Sequence, residues 1–380
     1  MKTTVLRQDI LFSIIRASLG LPTEKVQISD EEFLQLWAFG KRQSILPLIW
    51  EGTRLLYPHS EWKQKVQDDL NDCIKRYVWR DESLRNVRHS LDENNIPYVL
   101  LKGSVLQSLY PEEWMRTSSD IDILVREKDL SNAVNAIENQ TSFRAKAKGY
   151  HDVSMISENY HLELHFSLRE REIKIDPLLE SAWEYAKPTG EGLWFRFTPE
   201  YEIFYVTAHM AHHFINGGLG IRPFIDLWLL RNRTTYDEAV LNDLLDACDL
   251  KLFYEKCCAL SSVWIDGKEH SEITLSLEKF CLSGGALGSR TLANVARQKQ
   301  HKGWNYVLSR VWIPKYDLIA FYGDDVHHPK HSTLYYQVKR WASWIKKDRR
   351  NDLKRQIGQL NEASEADIAE YSKLSKEMGL

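Results

Sequence analysis

Two aspartates one residue apart, Asp120 and Asp122, stand in the run SSDIDILV. Ile121, Ile123 and Val125 alternate with Asp120, Asp122 and Leu124, a period-2 pattern that predicts a strand. Positions i and i+2 of a strand share a face, so the two carboxylates converge. Side by side they repel unless a cation lies between them. Mg²⁺ takes oxygen ligands and keeps waters and substrate phosphates in its shell. A third carboxylate, Glu163, alternates with Leu162 and Leu164 in HLELHFSL, on one side with His161, His165 and Ser167. Placed beside the Asp120 strand, Glu163 completes a set of acids suited to two metal ions. One ion lowers the pKa of an attacking hydroxyl; the other holds a triphosphate and stabilises leaving pyrophosphate. Glu163 is also a candidate to accept the hydroxyl proton, and His165 to order Glu163 or the acceptor.

Upstream, Tyr98-Val-Leu-Leu101 reads as a short buried strand, broken by Gly103-Ser104, with SVLQSLY as the following helix. Free backbone N–H groups and the helix dipole at such a junction favour a phosphate. Glycine permits close backbone approach, and a serine hydroxyl can donate to a phosphate oxygen. Lys102 reads as a phosphate contact or a surface lysine. Arg116 reads as a phosphate contact, a brace for Asp120 or a structural ion pair. His209 and His213 are spaced i, i+4, which can bind zinc, but without the glutamate of the zinc-protease helix motif; they are read instead as lining a substrate cleft. Arg222 and Asp226 share that spacing, which gives either a helix salt bridge or an Arg222 free to meet a phosphate or an anionic acceptor.

The elements that must position these groups follow from periodicity. Leu6, Ile10, Leu11, Ile14 and Ile15 recur at helical spacing, and Ser29 with Glu32 forms a capping signature. Glu61 to Asn94 predicts a long amphipathic helix, ended by Asn94-Asn95 and Pro97. Strand, helix, strand, helix (128–138), strand (151–156) and strand (160–167) then imply a small α/β or α+β domain over roughly 95–175. Helices resume with TPEYEIFYVTAHMAHHFI, capped by Thr198 with Glu200 and Glu202 in its first turn, and with RPFIDLWLLRN, where Pro223 sits in the first turn. Further helices fill 236–282, then a break at Ser283-Gly-Gly285, a Trp- and Tyr-rich stretch and a basic helix over about 333–360. The region after 199 is expected to wall one side of the active cleft, because the sheet-bearing segment is too small to enclose an acceptor.

The 380-residue chain is 43% hydrophobic and 27% charged, an ordinary globular balance with room for two or three domains. Net charge is −3, from 50 basic and 53 acidic residues, so no whole-surface attraction for nucleic acid is expected. Arg7, Asp9 and Arg16 interrupt the N-terminal apolar runs, so no signal peptide is expected, and FIDLWLL is too short to cross a membrane. Five cysteines without metal-type spacing read as reduced thiols of a cytoplasmic protein. Thirteen tryptophans read chiefly as core. The stretch 337–355, with Trp341 and Trp344, reads as a solvated helix packing its tryptophans inward rather than as an anionic-surface binder.

Gly103-Ser104 followed by Asp120-Ile-Asp122 resembles the glycine-serine and paired-acid signature of polymerase-β-like nucleotidyltransferases. The fuller string resembles the bacterial uncharacterised nucleotidyltransferase branch: Leu101-Lys102-Gly103, Tyr110-Pro111, then Arg116 and Ser119 before the acid pair. Glu163-Leu164-His165 resembles its acidic-leucine-histidine strand. His209 with His212 or His213, and Arg222 with Asp226, resemble its spaced histidines and arginine-to-aspartate element. The resemblance covers about 95–230 well and the remainder loosely.

It implies an α+β fold: a small mixed-sheet nucleotidyltransferase domain at 95–198, an N-terminal helical region at 1–94 and a large C-terminal helical domain at 199–380. The implied reaction moves a nucleoside monophosphate from an NTP to a hydroxyl or phosphate of a small-molecule or peptide acceptor, releasing pyrophosphate. Asp120, Asp122 and Glu163 would hold two ions of Mg²⁺ or Mn²⁺. Lys102, Gly103, Ser104 and Arg116 would hold the nucleotide, and His165, His209, His213 and Arg222 would line the acceptor cleft. A nucleic-acid acceptor is not favoured. The competing readings are an inactive nucleotide-binding module and a nucleotidyltransferase toxin acting on tRNA or protein.

Overall fold

A computed structural model describes residues 7–58, 62–170, 175–216, 218–283, 331–343 and 365–380. The Trp- and Tyr-rich stretch, the Ser283-Gly-Gly285 break beyond Ser283 and most of the basic helix lie outside them. The fold is α+β, a seven-stranded mixed sheet among helices. Before the sheet come α1 (Gln8–Ser18), α2 (Asp30–Gln43), α3 (Leu46–Leu56) and α4 (Trp62–Glu93). The capping box opens α2: Ser29 Oγ accepts the Glu32 N–H at 3.3 Å, and the Glu32 carboxylate accepts the Ser29 N–H at 2.8 Å.

The sheet elements are β1 (Tyr98–Leu100), α5 (Gly103–Leu106), β2 (Asp120–Val125), α6 (Leu130–Gln140), β3 (Arg144–Lys148), β4 (Asp152–Ile156), β5 (His161–His165), α7 (Asp176–Glu180), β6 (Ala186–Pro188) and β7 (Trp194–Phe197). Strand order is β3-β4-β5-β2-β1-β7-β6. The β2–β5 and β1–β7 pairs are parallel and the others antiparallel. Three strands go beyond the pattern expected from sequence. β3 is Arg-Ala-Lys-Ala-Lys, an exposed edge with weak strand propensity. β6 carries Pro188 at the opposite edge, where proline forfeits no ladder bond. β7 is too short to show a period. The expected helix SVLQSLY holds α-geometry only to Leu106 and tightens to a 3₁₀ turn over Gln107–Leu109.

Alternation divides the strands' side chains between two cores. Ile121, Ile123, Leu162 and Leu164 pack with Val87 and Leu91 of α4 and Ala133 and Ile137 of α6. Val99, Leu101 and Leu124 point the other way, into a larger core. That core joins Ile10 and Ile14 of α1 to α8 (Pro199–Asn216), α9 (Arg222–Arg233), α10 (Glu238–Ala247), α11 (Lys251–Asp266) and α12 (Glu272–Ser283). Among the described residues, two further helices, α13 (Thr333–Ser343) and α14 (Glu365–Glu377), follow, and Tyr371 and Leu374 of α14 belong to the same core. Asp120, Asp122, Glu163 and His165 share the Leu124 side by alternation, so they face this helical mass rather than α4 and α6.

α9 ties that mass to the loop before β2. Asp226 takes a two-pronged contact from Arg116, at 2.9 and 2.8 Å, and a hydrogen bond from the Tyr110 hydroxyl at 2.8 Å. Arg222 donates to the Thr117 carbonyl at 2.8 Å rather than pairing with Asp226 along the helix. The local i, i+4 salt bridge is thus replaced by a long-range one, because a planar guanidinium reaches both carboxylate oxygens at once. On α8, Glu202 is buried with neither carboxylate oxygen bonded among the described residues. Burial lifts its carboxyl from the ordinary 4.5 to about 7.

Two outcomes follow. Asp226→Ala strands a buried Arg116, so urea unfolding should show a loss of about 3–5 kcal/mol; a loss below about 1 kcal/mol, a surface-pair value, would show that the tie is dispensable. Folding favours protonated Glu202, so its contribution is intact below pH 4.5 and is lost as pH rises through about 7. Glu202→Gln should therefore stabilise by about 1–3 kcal/mol at pH 8 and by little at pH 4; equal effects at both would refute the assignment.

Candidate functional site

The parallel register of β2 and β5 sets Asp120 opposite His161, Asp122 opposite Glu163 and Leu124 opposite His165. His165 Nε2 lies 3.1 Å from Asp122 Oδ1 and 3.6 Å from Glu163 Oε2. Ligand atoms of Asp122, Glu163 and His165 all fall within 4.8 Å of one another. Asp120 lies outside that group, where its Oδ1 accepts the Ser118 hydroxyl at 3.1 Å. The structure therefore brings Asp122 and Glu163 together as the alternation requires, with His165 as the third member and Asp120 one step along the strand. Two carboxylates suit Mg²⁺ or Mn²⁺, and the other nitrogen of His165, Nδ1, is buried without a partner among the described residues.

Charge inside this group is balanced by the chain itself. Burial works against an ionised Asp122, but Lys102, with Nζ 3.6 Å away, and the His165 hydrogen bond hold it well below the usual carboxylate range. Burial also opposes a charged His165, yet hydrogen bonds to Asp122 and Glu163 lift its imidazole to about 9. The His165 hydrogen bond holds Glu163 low. Burial and then Asp122 raise Asp120, so this carboxyl gains most from an added cation.

Lys102 is largely buried, not a surface lysine, and sits at φ 43°. A non-glycine residue there costs of order 1–3 kcal/mol, held in place by its surroundings. The next residue must be glycine for a different reason: a Cβ on Gly103 would lie 2.7 Å from both Arg116 Nη1 and Ser118 Oγ. The turn, Arg116 and the loop before β2 are thus packed against one another. Arg116 is committed to Asp226, which makes it a structural ion pair in this state. Ser104 Oγ accepts from Arg80 at 2.6 Å, so its own proton is free to point elsewhere.

A cavity of about 140 Å³ opens beside the group, lined among others by Lys102, Glu163, His165, Glu170, His209 and His213. The β5 face and the α8 face therefore share one wall each of a single cleft. Arg222 does not line it; its guanidinium braces Thr117. Glu170 Oε1 lies 3.0 Å from His209 Nδ1 and Oε2 3.4 Å from His212 Nε2, and His209 Nε2 lies 2.8 Å from His213 Nε2.

Two side chains central to this geometry escape a sequence reading. Arg80 sits in a helix full of basic residues, where nothing local distinguishes a buried arginine from exposed ones; it also donates to Gln107 at 2.6 Å and to the Asp120 carbonyl at 3.4 Å. Glu170 follows β5 in Leu-Arg-Glu-Arg-Glu, a run that reads as solvated loop. Its only signal is its place shortly after the Glu163–His165 strand.

No curated protein matches the chain. Among solved structures, the solution structure of the antibiotic-resistance factor ANT(2'')-Ia is similar over 45% of this chain and 91% of that one, at 11% identity and a TM-score of 0.35. The model of a family described as uncharacterised nucleotidyltransferase matches residues 29–266, more than half of the chain and the whole span from the α2 capping box to the end of α11. By that match, the chain belongs to the uncharacterised nucleotidyltransferase family.

Proposed function

We propose that the protein is a metal-dependent enzyme that moves a nucleoside monophosphate from an NTP to a hydroxyl or phosphate of a small-molecule or peptide acceptor. The observation that carries this reading is the parallel register that seats Asp122 beside Glu163 on the cleft-facing side of the sheet. Asp122 and Glu163, with Asp120 one step along β2, would hold Mg²⁺ or Mn²⁺, and the acids suit two ions. Bound there, the ions neutralise triphosphate charge and polarise the reacting oxygens.

The chain's own groups do the rest. The Gly103-Ser104 turn admits a phosphate closely, and the free Ser104 proton donates to it. Lys102 supplies a fixed positive charge beside Asp122. The acceptor oxygen bonds to the α-phosphorus while the bond to the bridging oxygen breaks, and pyrophosphate leaves with that electron pair. The acceptor proton passes to Glu163, which is half-buried on the cleft wall. Reduced cysteines are consistent with a cytoplasmic setting: all five are free, and no helix among the described residues is long and apolar enough to cross a membrane.

One observation favours a second reading, a nucleotide-binding module without turnover. Lys102 and His165 already occupy the anionic side of Asp122. The same experiments separate the two. Mg²⁺ with an NTP should raise the melting temperature, and the NTP in EDTA should not. Asp122→Asn should lower transfer of labelled nucleotide to cell-extract acceptors by about a thousand-fold or more, as expected when transition-state charge loses its counter-ion. Equal stabilisation in EDTA, or wild-type transfer by Asp122→Asn, rules out the metal-bridged site. A metal-dependent shift with no transfer by the wild type selects the module.

A further inference from the structure

Two buried arginines reach the Gly103-Ser104 turn, and the chain treats them differently. Arg116, 8% exposed, is met by both carboxylate oxygens of Asp226. Arg80, 2% exposed, comes from the middle of α4 and meets neutral acceptors. These are Ser104 Oγ at 2.6 Å, Gln107 Oε1 at 2.6 Å and the Asp120 carbonyl at 3.4 Å. Among the described residues Arg80 forms no ion pair. One link to a carboxylate runs through an amide: Gln107 donates from Nε2 to Glu113 at 3.3 Å.

A buried guanidinium without a contacting anion is costly. A chain that only had to tie α4 to the turn could use a neutral amide, or add an aspartate as it does at Arg116. Asp120 and Asp122 lie close enough to favour the charge of Arg80. Cations seated among those acids would spend that charge, leaving Arg80 to an anion that arrives from outside the chain.

Hydrogen-bond direction says what Arg80 does at the turn. A guanidinium only donates, so Ser104 Oγ accepts and its single proton must point elsewhere. Among the described residues that proton has no acceptor. The backbone around it is fixed. The Ser104 N–H is spent on the Leu101 carbonyl at 3.1 Å, and the Leu101 N–H bonds the Asp122 carbonyl at 3.1 Å. Arg80 and the Ser118 hydroxyl both donate to the Asp120 carbonyl. One planar group thus sets the Ser104 hydroxyl and the start of β2 in a fixed relation. A lysine could not do this, because its ammonium is a point donor on a flexible stem.

We propose that Arg80 is a positioning residue for the nucleotide: it holds the Ser104 hydroxyl with its proton directed at the triphosphate, and the triphosphate supplies the anion that the chain withholds from Arg80. This rests on the nucleotidyl-transfer reading and adds to it a residue of α4, outside the sheet. The site is thereby completed by the N-terminal helices.

The test is isothermal titration of the full chain with Mn²⁺ and each common ribonucleoside triphosphate in turn. The tightest is carried through a cycle of Arg80→Gln, Ser104→Ala and the double variant. Arg80→Gln should weaken that nucleotide by about thirty-fold, or ~2 kcal/mol, within the range of a hydrogen bond to a charged group. On the Ser104→Ala background the same change should cost no more than about three-fold, because the group it acts through is gone. Arg80→Lys keeps the charge but not the fork, and its loss should be smaller than that of Arg80→Gln. Mn²⁺ alone, followed by the EPR signal of the free ion, should bind Arg80→Gln at least as tightly as the wild type, since a cation near the acids is gone. Wild-type nucleotide affinity in Arg80→Gln, an equal loss on both backgrounds, or joint loss of Mn²⁺ and nucleotide binding overturns the assignment. If Arg80→Gln does not fold, Arg80→Lys takes its place in the cycle, with a smaller loss that must again depend on Ser104. A wild type that binds no nucleotide with Mn²⁺ ends the nucleotidyl-transfer reading and this role with it. A wild type that binds nucleotide without coupling between Arg80 and Ser104 ends this role alone.

Discussion

Carboxylates turned toward a helical core are the constraint around which this molecule is arranged. Two unit charges 4 Å apart interact by about 4 kcal/mol at an effective dielectric of 20, so Asp122 and Glu163 cannot both stay ionised without nearby positive charge. The chain supplies it from three directions. Lys102 comes from the turn after β1, His165 from the same strand as Glu163, and Arg80 reaches the backbone of Asp120 from α4. Each must be held at a fixed distance, which accounts for the strained backbone at Lys102 and the absence of room for a side chain at Gly103. The Arg116–Asp226 pair extends the same logic outward, pinning the loop that delivers β2.

Much of this was legible in the sequence where the signal is local. The alternation around Asp120 and around Glu163 placed each acid on the correct side of its strand, and the Ser29–Glu32 box opened α2 as read. What could not be read was which strand lies beside which; period-2 patterns fix faces, not neighbours. Burial of individual charged residues was equally hidden. Arg80 and Glu170 look like solvated residues because only tertiary packing distinguishes them. The Arg222–Asp226 spacing pointed to the wrong partner, since a residue more than a hundred positions earlier offers Asp226 better geometry. The edge strands were invisible for a related reason: β3 is built to discourage pairing, so it carries little of the composition by which strands are recognised.

The two sides of the cleft differ in how charge is handled. On the sheet side, ionised groups are crowded and compensated. On the α8 side, burial pushes His209 and His213 below the ordinary imidazole range, and short contacts join them to each other and to Glu170.

The larger core has a consequence for how the chain comes into being. α1 packs in one apolar cluster with α11, where Arg16 donates to the Trp264 and Val263 carbonyls, and Tyr371 near the far end of the chain bonds the Phe214 carbonyl. During synthesis from the ribosome, α1 can pack on the neighbouring α3 early, but its contact with α11 must wait until that later helix has emerged. The sheet and its companion helices α4 and α6 form a separate cluster from a continuous middle stretch, and can close first. The nascent protein would then pass through a stage in which the acid-bearing face is assembled but uncovered. Its N-terminal helices, packed on one another, would meanwhile lack the part of their native cover that α11 supplies, a stretch of time in which chaperone capture competes with docking.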